Sequence, residues 1–134
     1  MPMTSHEFIK SLGEGKDLVI NSNYKTVKKR LDNIFIKCLS KTEVTTFTSG
    51  RRAEHKYTPK SQINNGAAIY SLQVIQSSSS VLGKSPKDGL FVFTGRVKKL
   101  KNKTLVTTWH LWGHGKHVET FEIWASGKSS KCDA

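Results

Sequence analysis

The sequence predicts an α+β domain, with one or two short N-terminal helices packed on a mostly antiparallel sheet that ends in a three-stranded meander. Three observations carry that expectation. Apolar residues recur at helical spacing before residue 34, they alternate or cluster in β-branched runs afterwards, and two tight turns punctuate the last third of the chain.

Thr4-Ser5-His6-Glu7 has the form of a capping box, in which Thr4 caps and Glu7 reaches back. Phe8, Ile9 and Leu12 then make a short amphipathic helix that Gly13 stops. Leu18-Val19-Ile20 predicts a brief strand or extended connector. From Ser22 onward Tyr24, Val27, Leu31 and Ile34 recur at helical spacing, with Lys25, Lys28, Lys29 and Arg30 on the other faces. Asp32-Asn33 is expected to end this second helix. Ile34–Leu39 turns toward alternation and Glu43–Thr48 is rich in Thr, which predicts a hairpin about Ser40–Thr42. Gly50–Gly66 is polar, holds Pro59 and Asn64-Asn65-Gly66, and reads as a long mobile loop. Ala67–Gln76 reads as a strand. Ser77–Ser80 and Gly83–Gly89, with Pro86, read as a second loop.

The meander is expected to comprise Leu90–Lys99, Thr104–Trp112 and His117–Ala125, with turns at Lys101-Asn102-Lys103 and Gly113–Lys116. Its turns set the register, placing odd positions of the first strand beside even positions of the second. One face then carries Phe91, Phe93, Val97, Val106, Thr108, His110, Trp112, Phe121 and Ile123, joined by His117 and Glu119, and reads as the core face. The other carries Leu90, Val92, Thr94, Arg96, Lys98, Leu105, Thr107, Trp109, Leu111, Val118, Thr120, Glu122 and Trp124, a mixed face that is apolar enough to cover something and basic at one end.

At 134 residues the chain has room for one core, and residues 1–134 are expected to form a single basic domain with tails at 1–4 and 127–134. The outlying quantity is charge: 22 Lys and Arg stand against 10 Asp and Glu, a formal net charge of +12. Such an excess favours polyanionic partners, and nucleic acid is the first expectation, RNA above DNA. An anionic membrane surface would be attracted by the same cations. The two cysteines, Cys38 and Cys132, lie far apart and are expected to stay reduced, which predicts an intracellular protein, cytoplasmic or carried inside a virion. No apolar leader opens the chain and no run is long enough to span a bilayer.

Within eight residues the first hairpin of the meander carries Arg96, Lys98, Lys99, Lys101 and Lys103. Lys and Arg neutralise phosphate, and aromatic faces stack on unpaired bases, so these five cations and Trp109 are the leading binding candidates. A small domain also needs large side chains for its core, which competes for both Trp109 and Trp124. Lys28, Lys29, Arg30, Arg51 and Arg52 add to the surface wherever the fold brings them beside the hairpin. His110, His117 and Glu119, together on one face, would be the parts of a metal-independent ribonuclease, or merely a satisfied cross-strand pair. The spacing His110-x3-His114-x2-His117 matches no usual zinc site, and neither a phosphate-binding loop nor a nucleophile elbow is present. The expectation is therefore a binding module without catalysis, cofactor or metal. A self-associating RNA-packaging protein, such as a viral nucleocapsid, matrix or accessory protein, is the leading reading, with a peripheral membrane scaffold as the alternative.

Overall fold

A computed structural model describes residues 4–50, 52–76 and 89–132 of the chain. The class is α+β as expected: three helices and a six-stranded antiparallel sheet among the described residues. In chain order the elements are α1 (Ser5–Leu12), β1 (Lys16–Ile20), α2 (Tyr24–Leu39), β2 (Lys41–Thr46), β3 (Arg52–Asn64), β4 (Ala67–Gln76), β5 (Leu90–Lys99), β6 (Thr104–His110) and α3 (Gly115–Ser126). The strands lie in the order β1-β6-β5-β4-β3-β2, so β2 to β6 form one continuous meander and β1 closes its far edge beside β6. Because β1 and β2 occupy opposite edges, α2 must cross a sheet face to join them.

The N-terminal helices follow their local signals. Thr4 Oγ1 accepts from the Glu7 N–H at 3.1 Å, and Asn23 Oδ1 accepts from the Thr26 N–H at 2.9 Å. Asp32-Asn33 does not end α2, which runs on to Leu39 because Ile34, Phe35 and Leu39 continue the buried stripe begun by Val27 and Leu31. The exposed Asp32 and Asn33 lie on its outer side, where polar residues cost a helix little.

Two segments depart from expectation. The polar stretch read as a loop is β3, the longest strand. It pairs with β4 from Asn64↔Ala67 to His55↔Gln76. Its hairpin turn is built by Asn65 at φ 50° and Gly66 at φ 79°, both in the left-handed region that the tightest β-turns require. Pro59 is tolerated where β3 outruns β2, whose pairing stops at Tyr57. The second departure is His117–Ala125, which is helix α3 rather than the meander's third strand. Val118, Phe121, Trp124 and Ala125 are its buried residues, a spacing that gathers them on one helical face where a strand would divide them between two. Gly127, at φ 76°, ends α3 by donating to the Trp124 carbonyl, while Lys128 donates to that of Ile123. The loop expected between Gln76 and Leu90 lies, except for Gly89, outside the described residues.

The sheet has two unequal faces. On one, α2 and α3 cover Tyr70, Leu72, Phe93, Val97 and Val106, with Phe35, Tyr70, Phe93 and Phe121 packed ring against ring at 5.2–5.8 Å for the closest pairs. Gly95 makes room for this contact, since a Cβ there would lie 2.6 Å from the Phe121 ring. On the other face α1 packs Phe8 on Phe91 and Trp109, with Ile9 and Leu111 at the margin, a smaller cluster. Phe91 was expected beside Phe93. A bulge prevents this: Leu72 pairs Phe93 while Gln73 pairs Phe91, which leaves Val92 over and turns Phe91 to the α1 side.

Cys38 and Cys132 form a disulfide, contrary to expectation. Their separation of 94 residues conceals the path of the chain after α3: residues 127–132 turn back along α2, and Trp124 Nε1 donates to the Lys131 carbonyl at 2.8 Å. The expectation of a reducing compartment rested on these cysteines staying apart, and it loses that support. No helix among the described residues is long and apolar enough to cross a membrane.

Candidate nucleic-acid interface

The β5–β6 hairpin forms in the expected register, with Val97 opposite Val106 and Lys99 opposite Thr104, and the Leu100 N–H donates to the Lys103 carbonyl across its turn. Lys98, Lys99, Lys101 and Lys103 are all exposed and make no ion pair among the described residues. Three other features reach the same end of the sheet. The β3–β4 turn is adjacent because Ala68 pairs Val97, the end of β1 because Ile20 pairs Thr104, and the start of α2 because Thr104 Oγ1 donates to the Ser22 carbonyl at 2.8 Å. A charged end is thus assembled from four elements.

Of the cations expected on α2, Lys25 and Lys29 are exposed and make no ion pair among the described residues, whereas Lys28 and Arg30 are engaged. Lys28 holds Asp32 at 2.6 Å, and that hydrogen bond raises its pKa. Asp32 also accepts from the Tyr70 hydroxyl at 2.6 Å; burial is the main reason that phenol is pushed well above its ordinary range. Arg30 is structural: its guanidinium donates to the Ala125 carbonyl at 2.9 Å and packs over Gly127, clamping the end of α3 to α2. Arg52 does not converge with the hairpin. It pairs with Thr46, 12 residues along β3 from Asn64, roughly 40 Å at the usual strand rise. Arg51 lies outside the described residues.

Arg96 lies on the α1 face, with its guanidinium carbon 5.1 Å from the centre of the Trp109 ring. Trp109 itself is only 5% exposed and donates to the Gly13 carbonyl at 3.0 Å. It is therefore a floor beneath Arg96 and is not open to stacking by a base, which corrects its assignment as a binding residue. Trp124 is likewise buried.

The histidines gather at the opposite end of β6, in an arrangement that differs from the expected one. His110 is exposed at the strand terminus. His114 begins α3 and stacks on His117, ring centres 5.5 Å apart. His117 packs on Phe93 and Tyr57, and burial, reinforced by His114 and Lys41, lowers its pKa to about 4. Burial and His110 lower that of His114 as well. Glu119 is exposed and lies two residues beyond His117, about 200° round the helix, so the expected pairing of His110 with Glu119 does not form. Among the described residues no group of three or more His, Cys, Asp and Glu is placed to hold a metal.

Trp112 is the residue that sequence reasoning misplaced most. Expected in the core, it is 98% exposed in the turn between β6 and α3. The neighbouring Gly113, at φ 89°, was the signal that alternation had already ended there.

No family model matches the chain, and it matches none of the curated proteins or solved structures at a meaningful level.

Proposed function

We propose that the protein is a non-enzymatic RNA-binding module, of the kind that coats or packages a strand. The observation that carries this reading is the charged end of the sheet, where Lys98, Lys99, Lys101 and Lys103 stand exposed and without ion-pair partners among the described residues, in a chain of net charge +12. Cations held in water without carboxylate partners retain their attraction for phosphate, and releasing counterions from the strand drives the association. Lys29 extends this surface from α2. Weak individual contacts gain from multivalency, so self-association along a bound strand belongs to the same reading.

The test is a salt series against single-stranded RNA, duplex RNA, duplex DNA and anionic liposomes. Single-stranded RNA should bind most tightly, with log Kd rising steeply and linearly with log salt. Pelleting with anionic liposomes in the absence of RNA affinity would overturn the proposal in favour of a peripheral membrane scaffold. RNA cleavage lost in His110→Ala would overturn it in favour of a nuclease.

A further inference from the structure

A cavity of about 300 Å³ opens beside the charged end, between the start of α1, the β3–β4 turn and the outer half of β5. Its walls carry three kinds of group. Arg96, Lys98 and His6 supply cationic or protonatable nitrogen, Asn64 and Asn65 supply side-chain amides, and Ile9 and Ile69 supply an apolar surface. Ser5 and His6 also belong to the first turn of α1. The first helical bond there is made by Phe8 and the Glu7 N–H is taken by Thr4, so the two preceding amides come before the helical ladder. A helix start of this kind attracts anions.

A second, independent observation points to a ligand. The Nε of Arg96 is buried and has no hydrogen-bond partner among the described residues. Arg96 is also held in place by its stacking on Trp109, which in turn is fixed by its bond to Gly13. The buried Nε itself lies out of a ligand's reach, but the accessible remainder of this guanidinium makes no ion pair among the described residues and is already held in place, so it can receive an oxyanion with most of its ordering cost met in the free protein. The cavity has the volume of about ten waters in the liquid, more than the five heavy atoms of a phosphate need. The extra space is bounded by isoleucines and by amides, the surroundings that suit a sugar and the edge of a base.

We propose that this cavity binds a phosphate monoester carried on a nucleoside, either a free mononucleotide or the phosphorylated end of a strand. A monoester bears close to two negative charges at neutral pH, against one for the internal diester, and so suits Arg96 and Lys98 together. This deepens the RNA-binding reading and rests on it only for the strand-end source. Arg96 holds the phosphate, Lys98 closes over it from the rim, and Ile9 and Ile69 flank the nucleoside.

Adenosine 5′-monophosphate, inorganic phosphate, and uridine octamers ending in a 5′-phosphate, a 3′-phosphate or only hydroxyls test the proposal by calorimetry and fluorescence anisotropy. Saturable binding of the mononucleotide, or a preference of about tenfold for a phosphorylated octamer, is expected, and the two results identify the source. Arg96→Gln should abolish that binding or preference while leaving the affinity for the hydroxyl octamer within about threefold, as one lost phosphate contact allows. Should Arg96→Gln unfold through loss of its stacking on Trp109, Lys98→Glu, at an exposed rim position, takes its place. It should abolish mononucleotide binding and the preference for a phosphorylated octamer, while lowering the affinity for all octamers together because Lys98 also belongs to the lysine surface. No mononucleotide binding together with equal affinity for all octamers overturns the proposal and leaves the RNA-binding reading intact. Mononucleotide binding without affinity for any octamer does the reverse. Inorganic phosphate binding as tightly as the mononucleotide overturns the nucleoside part, and a preference that survives both substitutions overturns the site.

Discussion

The two ends of the sheet solve opposite problems with similar residues. At the β5–β6 turn four lysines stand exposed without ion-pair partners among the described residues, and the elements beneath them meet through backbone-centred contacts such as Thr104 to Ser22. At the other end of β6 the polar groups are drawn inward: His117 lies among Phe93 and Tyr57, stacked by His114, and its charged form is disfavoured by burial. There a large apolar side chain, Trp112, stands exposed. The difference teaches that cationic residue types alone do not mark a binding surface. Those whose charge is left uncompensated are the candidates, and the fold decides which ones they are. Arg30 and Lys28 are spent on α3 and Asp32, whereas Lys29 between them is not.

The largest expected effect concerns the disulfide, which ties the far end of α2 to the returning tail. The Cys38→Ser/Cys132→Ser protein should lose about 4 kcal/mol in denaturant unfolding, as chain entropy implies for a separation of 94 residues. Reductant should lower the stability of the wild-type chain equally and leave RNA affinity at the charged end unchanged.

Next comes pH. The folded pKa of His117 is about 4, below its unfolded value, so the unfolded chain binds more protons between the two. Stability should be complete above about pH 6.5 and fall as the pH drops toward 4, by about 2 kcal/mol after a discount for solvent screening. His117→Phe should flatten that slope, and the His117 ring should titrate near pH 4 by NMR.

At the charged end, replacing Lys99, Lys101 and Lys103 by Gln should weaken single-stranded RNA binding about tenfold, roughly 1.4 kcal/mol, and reduce the salt slope by about 2. Stability should stay unchanged, since none of the three is paired among the described residues. An unaltered slope would place binding elsewhere. The smallest effect is expected for Trp112→Ala, within about 0.5 kcal/mol in stability because the side chain is 98% exposed. If binding is confined to the lysine end, RNA affinity should not change either. A loss there would show that a bound strand reaches both ends.

Legibility in the sequence followed the range of the interactions involved. The cap of α1 is written in adjacent residues and was readable, as was the β5–β6 register, where a short turn leaves little choice. α3 was misread because Val118, Thr120, Phe121, Ile123 and Trp124 are residue types that favour strands, although the three-residue steps from Val118 to Phe121 to Trp124 fit a helical face, which packs against α2 in one core. β3 was misread because a strand exposed along much of its length has no apolar alternation to betray it, although Asn64-Asn65-Gly66 held the hairpin signal. Of the candidate site, the lysines were legible as a run of charge. The roles of Arg96 and Trp109 were not, because both depend on what α1 covers, and that of Trp112 was not, because it depends on where β6 ends.

The sequence by itself determined the α+β class, the N-terminal capping, the basic hairpin and the excess of positive charge, all set by neighbours within a few residues. Tertiary structure alone decided that Phe91 turns away from Phe93, that Cys38 meets Cys132, and that Arg30 is structural while Lys29 is free. It also decided that Trp109 and Trp124 are buried while Trp112 is exposed. The physical reason is common to all of these: burial and pairing belong to side chains that meet across tens of residues, and local pattern constrains which faces exist without naming what will cover them.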